Sequence, residues 1–138
     1  MGAHWIDRFQ GRIPRKDYQA CVENGEEHGL IITLFSKEYD VRLDFGIVEG
    51  IQMLDEGVLL NNDDGEWSDI GKLTEQNFPS TIYEIRGGSF GNYITQSMGC
   101  DFFHSMEMKQ YNIITLNYVI SIVTRREPEI TVLPGGTF

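Results

Sequence analysis

Few residues in this sequence have the types and spacing that chemistry at a site requires. Cys100 and His104 lie four positions apart, which would place a thiol and an imidazole on one face of a helix. Asp101 and Glu107 lie three residues on either side of His104, a spacing that could hold a metal ion, but a second nearby histidine is missing. We therefore interpret Cys100 as a small buried thiol beside a surface histidine, and we predict neither a catalytic site nor a metal site.

Two loops resemble ligand-binding loops in part. Residues 61–66 have the composition of a calcium loop, but when the glycine takes the sixth position, Leu60 and Gly71 occupy positions that need carboxylates. Residues 87–91 are rich in glycine and precede a helical pattern, as in a phosphate-binding loop, but they contain no lysine and Glu84 lies just upstream. We predict a solvated turn for the first, a strand-to-helix connection for the second, and no cofactor.

Alternation of apolar and polar residues indicates that most of the chain forms β-strands, because side chains in a strand point to opposite faces in turn. Residues 30–35 and 41–45 have the pattern of a hairpin with one buried face, and a second hairpin is expected to turn at Asn117 and Tyr118. The strands expected from these patterns are 30–35, 41–45, 47–54, 81–86, 111–116, 119–124 and 129–133.

Helical spacing of apolar residues predicts a helix over 89–98 with Ser89 as its N-cap. Residues 60–80 contain several turn-forming residues, and we interpret them as a loop with one short helical turn near 70–75. The fold class that we expect is α+β, a mainly antiparallel sheet of about five to seven strands with one or two helices packed on a face.

Length and composition are those of one globular domain. The 138 residues are 41% hydrophobic and 23% charged, a mixture that can build a single core. We expect one domain over 1–138, with a turn-rich N-terminal segment at 1–29 and a sheet-based core at 30–133. The chain starts without an apolar signal core, has no apolar run that could span a membrane, and its cysteines, Cys21 and Cys100, do not form a disulfide framework. These features predict a cytoplasmic location.

The net charge of −10 comes mostly from one part of the chain. It disfavours direct binding to nucleic acid or to a membrane, because both need a basic surface, and it favours a basic partner. Between Glu38 and Glu75, eleven acidic residues are opposed only by Arg42 and Lys72. Trp67 lies in this stretch, and an aromatic side chain ringed by carboxylates is typical of an interface for a basic protein. The candidate interface residues are Asp55, Glu56, Asp63, Asp64, Glu66, Trp67 and Asp69.

Two stretches resemble small bacterial immunity proteins, which are encoded beside polymorphic and contact-dependent growth-inhibition toxins. Residues 41–57 resemble a stretch of that family in which an alternating strand ends in Phe, a second strand follows, and an Asp-Glu pair closes it. Residues 108–123, followed by Pro128, resemble the family's C-terminal hairpin. The resemblance implies an inhibitor without catalytic residues. Such a protein binds the C-terminal domain of a cognate toxin, often a basic nuclease, and blocks its active or substrate-binding site.

Two other functions stay open at this point. The first is a small-ligand-binding or scaffold module, in which the predicted helix and the sheet enclose an apolar pocket. The second is an enzyme that uses Cys100 and His104, which rapid reaction of the Cys100 thiol would favour. A basic cluster at residues 8–16 either contributes to binding or pairs within the molecule.

Overall fold

The computed structural model describes residues 3–57, 70–98 and 108–138 of the chain. Nine strands and two helices lie in these ranges. The strands are β1 (His4–Ile6), β2 (Gln19–Gly25), β3 (Gly29–Phe35), β4 (Tyr39–Gly46), β5 (Gly50–Asp55), β6 (Ile82–Arg86), β7 (Lys109–Ile114), β8 (Tyr118–Thr124) and β9 (Glu129–Pro134). The helices are α1 (Ile70–Glu75) and α2 (Ser89–Ser97).

The strands form two antiparallel sheets. One has five strands in the order β1-β6-β7-β8-β5, and the other has four in the order β2-β3-β4-β9. Strands that follow each other in sequence pair in β2–β3, β3–β4, β6–β7 and β7–β8. The pairs β1–β6, β5–β8 and β4–β9 join distant parts of the chain. The two sheets are therefore interleaved along the sequence.

The main core lies between the two sheets. In β3 and β4, the apolar side chains that alternate along the strand point to one face and are fully buried, as the period of a strand requires. Burial of each such side chain contributes about 1.5–3 kcal/mol before the entropy of ordering is counted, so this layer holds the sheets together. The members of this cluster with no exposed area are Tyr18, Leu30, Ile32, Leu34, Val41, Leu43, Phe45, Tyr111, Ile113, Ile120 and Ile122.

The opposite face of the five-stranded sheet has its own apolar cluster. Trp5 of β1 and Tyr83 of β6 pack edge to face, with ring centroids 5.6 Å apart, and Leu73 of α1 packs against the cluster. Helix α2 contacts β7 and β8, and it passes so close to β5 that a Cβ on Gly50 would lie 3.0 Å from Ile94 Cδ1. Both helices thus lie on the face of this sheet that points away from the main core.

The mainly antiparallel α+β architecture with few helices is confirmed. The strand count is higher than expected, however, because the described residues alone form nine strands in two sheets where the sequence predicted about five to seven in one. The additional strands among the described residues are β1 and β2, and both lie in the segment 1–29 that we interpreted as turn-rich. In β2 the inward side chains are Ala20 and Val22, which are small and only partly buried, so the alternating pattern there is weak.

Two local predictions differ from the structure by one residue. Gly88, and not Ser89, is the N-cap of α2, and no side chain caps this end by a hydrogen bond. The turn between β7 and β8 lies one residue earlier than expected. The Thr115 N–H donates to the Tyr118 carbonyl at 2.9 Å, so Tyr118 begins β8 instead of forming the turn.

Candidate functional site

The predicted interface residues fall into two groups. Asp55 and Glu56 lie at the end of β5 and directly after it, in the described part of the chain. Outside the described residues lie Asp63, Asp64, Glu66, Trp67 and Asp69, together with Cys100 and His104. The geometry of the candidate site is therefore that of the end of β5 and its surroundings.

Strand β5 places exposed apolar side chains next to Asp55. It is an edge strand, in which Asp55 lies opposite Tyr118 and Met53 lies opposite Ile120. Met53 and Tyr118 are therefore diagonal neighbours on one face, within reach of each other. Met53, Tyr118 and the turn residue Leu116 are 41%, 42% and 43% exposed, and large apolar side chains exposed together are typical of a contact surface. We call the following group the β5–β8 corner: Met53, Asp55, Glu56, Leu116 and Tyr118.

Hydrogen bonds hold the backbone of the β5–β8 corner in place. The Thr115 hydroxyl donates to the Tyr118 carbonyl and accepts from the Tyr118 N–H, both at 3.1 Å. The Glu56 N–H donates to the Asn117 carbonyl at 3.0 Å, which ties the end of β5 to the β7–β8 turn. Because this backbone is already ordered, a partner that binds here loses less free energy to ordering it.

Among the described residues, no cationic side chain neutralises the carboxylates of the β5–β8 corner. Neither Asp55 nor Glu56 forms an ion pair with any side chain in the described ranges. Asp55 Oδ1 accepts a hydrogen bond from the Gly57 N–H at 2.9 Å, which orients the carboxylate without neutralising it. The corner therefore combines apolar contact area with negative charge, which suits a basic protein surface.

The basic cluster at residues 8–16 pairs within the molecule. Lys16 Nζ lies 3.1 Å from Glu38 Oε2, beside the four-stranded sheet. Arg8 donates from Nε to Glu84 Oε1 at 3.2 Å, on the five-stranded sheet. Arg15 donates to the backbone carbonyls of two residues that precede β6. These contacts hold the N-terminal segment against both sheets. They also neutralise acidic residues such as Glu38 that the sequence had counted in the acidic stretch.

A buried carboxylate on β6 was not among the candidate site residues at the level of the sequence. The Glu84 side chain is 4% exposed, and its oxygens lie 3.2 Å from Arg8 Nε, 3.2 Å from Arg86 Nε and 3.7 Å from Lys109 Nζ. Burial acts to raise the pKa of Glu84, but the hydrogen bonds from Arg8 and Arg86 and the charge of Lys109 outweigh it, so the pKa lies below its ordinary value. The sequence offered one signal for this residue, which is an acidic side chain among apolar neighbours in a predicted strand. We call these four residues the Glu84 cluster.

The described residues contain no group of three or more His, Cys, Asp or Glu side chains placed to bind a metal ion. No helix within the described ranges is long and apolar enough to cross a membrane. Cys21 is exposed on β2, with its thiol not in a disulfide. Comparisons with protein-family models, with curated proteins and with solved structures find no match to this chain.

Proposed function

We propose that this chain is an immunity protein, a cytoplasmic inhibitor that binds the C-terminal domain of a cognate toxin and covers its active or substrate-binding site. The toxin domain is a basic protein, most simply a nuclease. The observation that carries the proposal is the β5–β8 corner, where exposed apolar side chains lie beside two carboxylates that no described cation neutralises. Its β5 residues belong to the stretch 41–57 that resembles the immunity proteins.

In this mechanism the two kinds of side chain in the β5–β8 corner do different work. The carboxylates of Asp55 and Glu56 occupy the basic groove in which a nuclease holds phosphate groups, and they attract the toxin from a distance. Met53 and Tyr118 make the apolar contact that keeps the complex together. Charged groups mainly change the rate of association, whereas buried apolar anchors mainly change the rate of dissociation, so the two contributions can be measured separately. The proposal also retains, as candidate interface residues from the sequence alone, Asp63, Asp64, Glu66, Trp67 and Asp69.

Co-expression with the toxin domain encoded beside the gene for this chain tests the function itself. We expect cells that make the toxin domain to grow only when this chain is also made, and the two proteins to elute together in size-exclusion chromatography. An unrelated small acidic protein made in the same way should not restore growth. The proposal is wrong if no toxin domain is encoded there, or if the domain is neither bound nor neutralised.

Matched tyrosine variants locate the surface in the same experiment. Tyr118→Ala removes an apolar anchor from the β5–β8 corner, and truncation of a central anchor costs about 2 kcal/mol or more, so dissociation should become roughly 30-fold faster. Tyr93 on α2 is 64% exposed, and Tyr93→Ala serves as the control that should leave dissociation unchanged. Faster dissociation of the Tyr93 variant alone would place the interface on α2 and contradict the proposal.

Neutralising the carboxylates of the β5–β8 corner is expected to slow association. The double variant Asp55→Asn with Glu56→Gln should bind the toxin domain several-fold more slowly at low ionic strength, and the association rate should depend less on salt, because two charges that attract the partner are gone. Stopped-flow or surface plasmon resonance measurements at several salt concentrations provide the rates. Neutralising the candidate acidic residues that lie outside the described ranges should also slow association: Asp63→Asn, Asp64→Asn, Glu66→Gln and Asp69→Asn.

The control for this prediction removes the same charge elsewhere. Glu26 and Glu27 are exposed in the turn between β2 and β3, so Glu26→Gln with Glu27→Gln changes the net charge equally without touching the β5–β8 corner. We expect normal association for that variant. Equal slowing in both double variants would show an effect of total charge and would contradict a localised interface.

A further inference from the structure

Strand β2 is an edge strand whose outer side has no partner among the described residues. It pairs with β3 on one side only, over seven residues and without a shift in register. No backbone hydrogen bond joins β2 to any described residue outside this pairing. The outer side therefore presents a row of unpaired N–H and C=O groups, which is a template for pairing with another strand.

Strand β2 also lacks the features that usually protect an edge from pairing. Prolines, lysines, β-bulges and very short strands all prevent edge-to-edge contact. In contrast, β2 contains no proline and no lysine, and its pairing with β3 has no bulge. The other edge strands differ, because β1 has only three residues, β9 ends in Pro134, and β5 carries part of the proposed toxin interface. The edge that is open to a further strand is therefore β2.

The core is incomplete along this edge. Ala20 and Val22 point inward and pack against the main core, but both are only partly buried. Opposite residues of an antiparallel pair point to the same face of the sheet. A strand added beside β2 would therefore cover Ala20 and Val22 if its own inward residues were apolar and its outward residues polar. The sequence of β2 itself meets this requirement, because Gln19, Cys21 and Glu23 lie on its outward face.

We propose that β2 pairs antiparallel with β2 of a second copy of this chain, which joins two four-stranded sheets into one sheet of eight strands. A two-fold axis through Cys21 places the two Cys21 residues opposite each other. Ala20 then lies opposite Val22 of the second copy on the core side, where apolar meets apolar. On the outward side Gln19 lies opposite Glu23, where an amide can donate a hydrogen bond to a carboxylate.

The charges at the two ends of β2 favour the same register. Lys16 precedes Cys21 by five residues and Glu26 follows it by five, so the two-fold axis brings Lys16 near Glu26 of the second copy, twice in each dimer. Lys16 Nζ can keep its contact with Glu38 at 3.1 Å, because an ammonium group has three donors. A shift of the axis by one residue in either direction would instead place Asp17 opposite a glutamate, and like charges in opposite positions are destabilising.

The length of the free edge limits the contact to five residues from each copy. The Tyr18 carbonyl accepts a hydrogen bond from the Leu116 N–H at 2.8 Å, so the free edge begins at Gln19. The register centred on Cys21 pairs residues 19–23 with each other and does not need the Tyr18 carbonyl. Small interfaces are typical of weak association, so we expect a dimer that forms at high micromolar concentration and dissociates on dilution.

Analytical ultracentrifugation of the full chain from low to high micromolar concentration tests the proposal. We expect the average mass to rise from that of one chain towards that of two. Cys21→Lys should weaken association roughly tenfold or more, because it places two lysines opposite each other. The matched control is Thr131→Lys, which adds the same charge at an exposed position on the same face of the opposite edge strand, β9, and should associate normally.

Cysteine cross-linking tests the register. Opposite residues of an antiparallel pair have Cα atoms about 4.5–5.5 Å apart, which is within the range that a disulfide needs. In a Cys100→Ser variant, diamide should therefore join two copies through Cys21, as the two thiols give up their hydrogens to the diamide and form one S–S bond. The control is Cys21→Ser with Cys100→Ser and Thr131→Cys, which should not cross-link. Non-reducing gel electrophoresis separates one chain from two.

Several results would overturn the proposal. These are the mass of one chain at every concentration, association that Cys21→Lys leaves unchanged or that both lysine variants weaken equally, and cross-linking through Cys21 that does not exceed that of the control. None of these measurements involves a toxin, so their outcome is independent of the proposed inhibition.

Discussion

Replacing Gly29 with alanine should destabilise the fold by about 3 kcal/mol or more, which corresponds to a fall in Tm of roughly 10 °C. Gly29 has φ +76°, and a Cβ there would overlap the backbone carbonyl group of Gly46, which lies on the neighbouring strand. Backbone atoms cannot move aside as the end of a flexible side chain can, so β3 and β4 would have to separate. Thermal or urea unfolding followed by circular dichroism measures the loss.

A variant at a second glycine separates the cost of steric overlap from the cost of backbone strain. Gly11 has φ +80° but no heavy atom within 4 Å of the position of an added Cβ. The variant Gly11→Ala therefore carries only the strain of a left-handed alanine, about 1–2 kcal/mol. If Gly29→Ala cost no more than Gly11→Ala, the close approach of β3 and β4 at this point would be refuted.

Replacing Glu84 with glutamine should cost about 1–3 kcal/mol at neutral pH, because three cations lose the carboxylate that compensates them. The lower part of the range for a buried pair applies, since Arg8, Arg86 and Lys109 are themselves 40%, 63% and 38% exposed and therefore partly solvated. Urea unfolding of the native chain and of Glu84→Gln at pH 7 measures this difference. Glu129 is exposed on β9, and Glu129→Gln is the control that should change stability by less than about 0.5 kcal/mol.

The pH dependence of the same variant tests the direction of the pKa shift. The pKa of Glu84 is lower in the folded state than in the unfolded state, so its ionised form stabilises the fold above the unfolded pKa. That stabilisation is lost as the pH falls through the lowered pKa of Glu84. The stabilities of the native chain and of Glu84→Gln should therefore converge in acid. A difference that stays constant from pH 7 to the acid limit of folding would contradict the assignment.

The parts of the fold that the sequence predicted correctly are those that local patterns determine. Strands β3 and β4 alternate strictly between apolar and polar residues, and helix α2 has apolar residues at helical spacing, so each element could be recognised from its own residues. The edge strand β2 could not, because Ala20 and Val22 bury little surface. The division into two sheets was also missed, since it depends on pairings such as β1 with β6 that join residues far apart in the chain.

The candidate site was likewise predictable only where its residues are close together in the sequence. Met53 and Asp55 were close together in the sequence, so their place near an acidic surface could be predicted. Tyr118 and Leu116 reach the β5–β8 corner only through the pairing of β5 with β8, which the sequence did not reveal. Counting acidic residues in the sequence overestimated the negative charge that stays unpaired in the folded protein. Glu38 and other acids in the stretch pair with cations that are remote in sequence, and such pairs are invisible until the chain has folded.

The interleaving of the two sheets determines how the chain can reach its native state. His4 pairs with Arg86 and Asp44 with Glu129, separations of 82 and 85 residues. Each pairing requires closure of a long loop before any contact repays it, so we expect folding on the millisecond-to-second scale typical of non-local β topologies. Each sheet also encloses strands of the other in the sequence, so any piece of chain that completes one sheet also carries at least three strands of the other. A single cut in any loop between β2 and β8 therefore leaves two fragments that must find each other, because neither contains a finished sheet.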